Sequence, residues 1–100
     1  MWISAFTPGG PAPKLQAVLY LAEFYLAGNI SLAGVVRQAR AGAAEAALAG
    51  VDVRFVRAIF APQDETCFAL YQADSAEDVT AAGARAGLVF DRVVEALAFP

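Results

Sequence analysis

Two neighbouring stretches in the middle of the chain have the character of β-strands, and they constrain its fold more than any other feature. Residues 51–60 alternate with the period of two that is typical of a β-strand, and residues 66–72 are predicted to be a second strand, with Cys67, Ala69 and Tyr71 on one face and Phe68 and Leu70 on the other. Residues 61–65 between them contain Pro62 and Asp64, which favour a turn. Two strands joined by so short a turn are predicted to form an antiparallel hairpin.

A helix is predicted on each side of this hairpin. Before it, Ser31 can cap a helix whose apolar residues follow helical spacing as far as Gly50, a typical residue just past a helix end. After it, Ser75 and Asp78 resemble a capping box, and Gly87 ends the second helix.

The remaining strands come from the two ends of the domain. Residues 15–26 fit both an amphipathic helix and a mostly buried strand, and their aromatic content together with the following Gly28 and Asn29 favours the strand. Residues 90–99 alternate as a last strand. The predicted order is therefore β-α-β-β-α-β. This is the ferredoxin-like arrangement of the α+β class, with an antiparallel sheet and two helices on one face.

The segment before the first strand is predicted to be an extension of the domain. Residues 1–14 contain five prolines and glycines in close succession, at Pro8, Gly9, Gly10, Pro11 and Pro13, which disfavour a helix or a central strand. We therefore expect residues 1–18 to be a flexible extension and residues 19–99 to form the domain. The single basic residue before the apolar stretch does not match a secretory leader, so a cytoplasmic location is expected.

Composition removes several classes of function. The net charge is −3, from 7 basic and 10 acidic residues, whereas binding to nucleic-acid phosphates needs clustered basic residues. The chain has no histidine, which is the usual general base at neutral pH and the commonest ligand of transition metals. We therefore expect no metal, no other cofactor and no nucleic acid. The sequence has no run of 18 apolar residues, so no membrane partner is expected.

The face of the sheet that carries no helix is predicted to be mostly apolar. Strand alternation assigns to it Leu21, Glu23, Tyr25, Val53, Phe55, Arg57, Cys67, Ala69, Tyr71, Val93 and Glu95. An apolar patch of this size predicts an association site. A second copy covers the patch most simply, so we expect a homodimer in which the two sheets pack as a dimeric α+β barrel.

Six residues of this face are the candidate ligand pocket: Glu23, Tyr25, Arg57, Cys67, Tyr71 and Glu95. On this hypothesis Arg57 orients a small anionic or carbonyl ligand, and Tyr25 and Tyr71 flank it. The alternative is a structural ion pair of Arg57 with Glu23, across the sheet or the dimer interface.

The thiol and the turn carboxylates have simpler interpretations. Cys67 is expected to pack as a small apolar residue, since an activated thiolate would require Arg57 on the same face of the neighbouring strand. Asp64 and Glu65 lie in the turn and are expected to face solvent, because a calcium loop needs more oxygen ligands at regular spacing.

Two segments resemble a family of small bacterial ferredoxin-fold proteins that includes a nickel-binding protein. They are residues 64–68 (DETCF) and 85–96 (RAGLVFDRVVEA), and the resemblance extends roughly over residues 19–96. It implies the same fold and a dimer. The metal-binding members carry histidines at positions that match Glu23, Phe24 and Leu88. Because nickel favours nitrogen-rich ligation, the resemblance does not imply that this chain holds the metal.

These observations predict a non-enzymatic, dimeric domain that binds a small ligand or takes part in an interaction. An alternative is a cofactorless enzyme of the dimeric α+β barrel type, similar in fold to small monooxygenases and isomerases. Without histidine, such an enzyme would depend on a side chain with a shifted pKa from the six pocket candidates. A third interpretation is a subunit whose apolar sheet docks a different protein.

Overall fold

The computed structural model describes residues 18–99 of the chain. Its elements follow in the order β1 (Val18–Tyr25), α1 (Leu32–Leu48), β2 (Val53–Ala61), β3 (Thr66–Ala73), α2 (Ala76–Arg85) and β4 (Arg92–Ala96), with one 3-10 turn at Pro62–Asp64. The predicted order β-α-β-β-α-β is confirmed. Residues 1–17 lie outside the described residues, so the extension stays a prediction. Val18, which the sequence assigns to that extension, is the first residue of β1.

The four strands form one antiparallel sheet in the order β2-β3-β1-β4. The fold class is therefore the ferredoxin-like α+β arrangement predicted from the sequence. β1 and β3 are central and pair along their whole length, which explains why residues 18–25 are largely apolar despite their helix-like spacing. Among the described residues, no helix is long and apolar enough to cross a membrane.

Both helices begin and end at the residues that the sequence indicates. The Ser31 hydroxyl accepts a hydrogen bond from the Gly34 backbone N–H at 3.2 Å, and Ser75 does the same for the Asp78 N–H at 3.2 Å. Gly50 and Gly87 follow the helix ends with φ of 92° and 74°, a left-handed conformation that glycine adopts at little cost.

The two helices approach each other closely at Gly42 of α1. A Cβ atom at this position would lie 2.7 Å from the Ala82 carbonyl oxygen and 2.8 Å from the Ala86 Cβ atom of the other helix. The alanine-rich stripe of α1 therefore serves close packing between helices as well as packing against the sheet.

One face of the sheet is buried under both helices. Its core residues are Ala22, Phe24, Val53, Phe55, Cys67, Ala69, Tyr71 and Ala73 of the strands, packed with Val35, Ala39, Ala43 and Ala46 of α1 and Val79 and Ala82 of α2. Val53, Phe55, Cys67, Ala69 and Tyr71 were expected on the opposite face, and this expectation is wrong. Both faces of β3 carry apolar residues, so alternation alone does not show which face the helices cover.

A β-bulge in β2 explains a second part of the difference. Phe55 pairs with Tyr71, but Arg57 pairs with Leu70, so Val56 is an extra residue and the strand changes face between positions 55 and 57. Phe55 is therefore buried under the helices while Arg57 lies on the uncovered side. Strict alternation predicts that Phe55 and Arg57 share one face of the sheet. The single extra residue, Val56, places them on opposite faces.

The uncovered side, here called the outer face, follows from the strand registers. Its residues are Leu19, Leu21, Glu23, Tyr25, Arg54, Arg57, Ile59, Thr66, Phe68, Leu70, Gln72, Arg92 and Val94. Val93 and Glu95, which were expected here, pair with Ala22 and Tyr20 and belong to the helix side. The outer face therefore carries apolar residues other than those expected: of the apolar and aromatic residues assigned to it from the sequence, Leu21 and Tyr25 lie there, together with Leu19, Ile59, Phe68, Leu70 and Val94.

Candidate functional site

A pocket of about 410 Å³ opens where β1 ends, next to the loop into α1 and the segment between α2 and β4. We call it the β1 pocket. It is lined by Phe24, Tyr25, Leu26, Ile30, Val35, Gln38, Gly87, Leu88, Val89 and Asp91. Ligand pockets in proteins are commonly about 300–1,000 Å³ and mainly apolar, so its size and lining suit a small organic molecule.

The interior of the β1 pocket is held in place by aromatic packing. Phe24 is buried on the helix side of β1, and its ring centroid lies 5.6 Å from that of Phe90. The left-handed Gly87 turns the chain out of α2, and the Leu88 backbone N–H then donates to the Gly83 carbonyl at 2.8 Å. These contacts fix Leu88 beside Phe24 in the pocket lining.

The rim of the β1 pocket is fixed by Glu65, a residue from the turn between β2 and β3. Its carboxylate accepts hydrogen bonds from the Tyr25 hydroxyl at 3.1 Å and from the Gly28 N–H at 2.9 Å. Its backbone carbonyl accepts from the Leu26 N–H at 2.8 Å. Glu65 has a left-handed φ of 48°, which is uncommon for a residue with a side chain. The expectation that Glu65 simply faces solvent is therefore wrong.

The charge at the β1 pocket is negative. Among the described residues, Asp91 is the acidic side chain of the lining, and no lysine or arginine lines the pocket. Its backbone N–H donates to the Glu23 carbonyl at 2.7 Å, which ties this residue to the end of β1. Tyr25 stays neutral, because the hydrogen bond and charge of Glu65 raise the pKa of its hydroxyl.

The six residues predicted to share a pocket are divided between the two faces of the sheet. Glu23, Tyr25 and Arg57 lie on the outer face, whereas Cys67, Tyr71 and Glu95 lie on the helix side. Of the six, Tyr25 lines the β1 pocket. Sequence reasoning did not select Asp91 or Glu65 for this site, since their approach depends on two loops meeting at the end of β1.

The core thiol and hydroxyl are poorly placed for chemistry. Burial raises the pKa of the Cys67 thiol, and it raises the pKa of Tyr71 to about 12. Arg57 lies on the opposite side of the sheet from Cys67, so the thiolate activation that the sequence left open is not supported. The buried Tyr71 hydroxyl has no hydrogen-bond partner among the described residues.

A second groove, of about 440 Å³, lies between α1 and the start of β2. Its lining includes Arg40, Asp52, Arg54 and Phe55, with the Arg40 guanidinium 5.3 Å from the centre of the Phe55 ring. We call this groove the α1–β2 groove. Two arginines, Arg40 and Arg54, line it, whereas no arginine is among the residues that line the β1 pocket.

The sequence matches the family model described as nickel responsive protein SCO4226-like, over residues 20–96. The chain belongs to the SCO4226-like family. Its fold is similar to the crystal structure of SCO4226 from Streptomyces coelicolor A3(2), with a TM-score of 0.67 and 23% identity over 82% of this chain and 99% of that one. Among curated proteins, none matches this chain in sequence.

The side chains of this SCO4226-like protein do not fit a nickel site. Of the three residues at which the resemblance implies histidines in metal-binding members, Glu23 lies on the outer face, and Phe24 and Leu88 line the β1 pocket. Across residues 18–99, no group of three or more Cys, Asp or Glu side chains could hold a metal ion. Phe24 and Leu88 present carbon atoms to the pocket, whereas a nickel site would need nitrogen ligands.

Proposed function

We propose that this protein is a non-enzymatic, homodimeric binding domain that takes a small, mainly apolar ligand in the β1 pocket. The observation that carries the proposal is the pocket itself. Phe24, Leu26, Val35 and Leu88 supply an apolar interior, and hydrogen bonds from Glu65 hold its rim. A preformed apolar pocket with a few polar groups at its edge is typical of a ligand site.

The chemistry of the lining favours binding over catalysis. General acid–base catalysis needs a group with a suitable pKa within hydrogen-bonding distance of the substrate. Of the six candidates from the sequence, Cys67 and Tyr71 lie in the core, where burial raises their pKa, and the pKa of Tyr25, which lines the pocket, is raised by Glu65. The carboxylate in the lining, Asp91, is exposed to solvent. This arrangement supports a domain whose pocket holds its ligand without transforming it.

The outer face supports the homodimer. Ile59 is 57% exposed and pairs with Phe68 of β3, and Val94 is 36% exposed and pairs with Leu21 of β1. Exposed apolar patches of this kind are unusual on monomers and typical of interfaces.

The charges on the outer face make a second copy the occupant that we propose. Glu23 lies on the central strand β1, while Arg57 and Arg92 lie on the edge strands β2 and β4. Two-fold pairing of one patch with itself can therefore place carboxylates of one protomer against guanidinium groups of the other. Tyr25 borders both the outer face and the β1 pocket, so the dimer would form beside the ligand site.

Titration with 2-phenylethanol, followed by NMR, tests the ligand site directly. We expect saturable chemical-shift changes centred on Phe24 and Leu88. Leu88→Trp should abolish them, because the larger side chain fills the pocket. Leu48→Trp is the matched control, since Leu48 is 90% exposed on α1 and does not line the pocket. Absence of saturable shifts, or shifts that survive Leu88→Trp, would overturn the proposal.

A further inference from the structure

We infer that the β1 pocket selects a small organic cation, a protonated amine carried on an apolar body. This inference rests on the proposed function, because it names the class of ligand that the same pocket takes. Three features of the lining carry it: its charge, its aromatic rings and its apolar interior.

The charge around the β1 pocket comes from two carboxylates. Asp91 lines the pocket, and Glu65 lies directly behind the rim, where its carboxylate accepts the hydrogen bond of Tyr25. The Glu65 carboxylate also accepts from Gly28, so the rim of the pocket is tied to a fixed negative group. Because Asp91 is exposed, its attraction for a cation is partly screened by water and salt, and the selectivity that it provides is modest.

None of the arginines of residues 18–99 is among the residues that line the β1 pocket, although Arg37 of α1 directly precedes the lining residue Gln38. Arg40 and Arg54 line the α1–β2 groove, and Arg57 and Arg92 lie on the outer face. Arg85 reaches Glu45 at 3.5 Å on the helix surface. An anion in the β1 pocket would therefore meet Asp91 without a guanidinium in the lining to offset it. This reverses the sequence-based expectation of an anionic ligand held by Arg57.

The interior of the pocket favours an organic cation over a metal ion. Phe24 and Tyr25 contribute aromatic rings, and a cation is attracted to the face of such a ring. Leu26, Val35 and Leu88 offer carbon atoms, which bury an apolar body and do not ligate a metal ion.

Three probes of similar shape and different charge test the inference: 2-phenylethylammonium, 2-phenylethanol and phenylacetate. NMR titrations at pH 7 and low salt give the dissociation constant of each from residues of the β1 pocket. We expect the ammonium to bind about threefold to fivefold more tightly than the alcohol, the range of a partly exposed ion pair, and phenylacetate to bind most weakly. Raising the salt concentration should reduce the ratio, because ions screen exposed charges.

The variant Asp91→Asn should lower the ratio of ammonium to alcohol affinity to about one. Asp64→Asn is the matched control, because Asp64 is exposed in the β2–β3 turn and does not line the pocket, and it should keep the wild-type ratio. If the alcohol and the ammonium bind equally well to the wild type, the charge selection is overturned and the binding function stands. If none of the probes shifts residues of the pocket, the binding function itself fails.

Discussion

Gly83 of α2 lies directly against the ring of Phe90. A Cβ atom at position 83 would be 2.6 Å from the Phe90 Cζ atom, well inside contact distance. Phe90 in turn packs against Phe24 and Tyr71, with ring centroids 5.6 and 6.0 Å apart. Because Gly83 has no side chain, α2 can pack directly against Phe90 and the aromatic cluster that supports the β1 pocket.

Gly83→Ala should destabilise the protein although alanine is the better helix former. The added methyl group must displace Phe90, and overpacking of this kind costs about 1–3 kcal/mol, more than the gain of up to about 1 kcal/mol in helix propensity. Gly34→Ala in α1 is the matched control, because its Cβ would be 3.7 Å from the nearest atoms, an ordinary contact. Urea unfolding should show that the control variant is as stable as the wild type or more so, and an equally stable Gly83→Ala would contradict the close contact.

Tyr71→Phe should leave the protein as stable as the wild type or stabilise it by up to about 1 kcal/mol. The Tyr71 hydroxyl is buried without a partner among the described residues, and a buried unpaired polar group costs free energy. Urea unfolding at pH 7 measures the change. A loss of more than about 1 kcal/mol would show that the hydroxyl makes a hydrogen bond after all.

The Tyr71→Phe variant should also lose less stability than the wild type as the pH rises in the alkaline range. Burial raises the pKa of Tyr71 to about 12 from 10.0, so between these values the unfolded chain releases this proton while the folded protein keeps it. The free energy of unfolding therefore falls as the pH rises from 10 to 12. Tyr71→Phe removes this contribution. A smaller decline should persist, because burial also raises the pKa of Cys67 above 9.0.

Glu65→Ala should loosen the rim of the β1 pocket and weaken its binding of 2-phenylethanol. The change removes the acceptor for the Tyr25 hydroxyl and the Gly28 N–H, so hydrogen exchange at the Gly28 amide should speed up at least severalfold. Asp64→Ala in the same turn is the control, since its side chain is exposed. Unchanged exchange at Gly28 in Glu65→Ala would show that the turn does not hold the loop.

Local signals in the sequence predicted the elements, but contacts between distant elements decided the site. Ser31 and Ser75 indicated where the helices begin because capping depends on neighbouring residues. The bulge between Phe55 and Arg57 carries no such local signal, so strict alternation placed Phe55 on the same face as Arg57, and the predicted face of Phe55 was wrong. Glu65 and Asp91 meet the end of β1 only after the hairpin and β4 have paired, so spacing along the chain could not place them in the pocket.

Ile59→Asp should convert the proposed homodimer into a monomer. Ile59 is an exposed apolar residue of the outer face, and a carboxylate there would be buried against the partner without compensation. Leu48→Asp is the matched control on the helix side, where Leu48 is 90% exposed. Sedimentation velocity at micromolar concentration should give a dimer for the wild type and the control. A wild-type monomer at high micromolar concentration would end the dimer proposal. Phe55→Asp does not serve this test, since Phe55 is buried under the helices.

Calorimetric titration with nickel should reveal no site tighter than about millimolar, the range of scattered surface carboxylates. Membership in the SCO4226-like family raises the expectation of a response to nickel, but ligation depends on the side chains present. The chain has no histidine, and Glu23, Phe24 and Leu88 stand where the resemblance implies histidines in metal-binding members. In a dimer, Glu23 side chains from two protomers could approach each other on the outer face, but two carboxylates supply no nitrogen ligand. A stoichiometric micromolar site that Glu23→Gln abolishes would show that nickel binding persists on oxygen ligands, and it would move the functional site from the β1 pocket to the dimer interface.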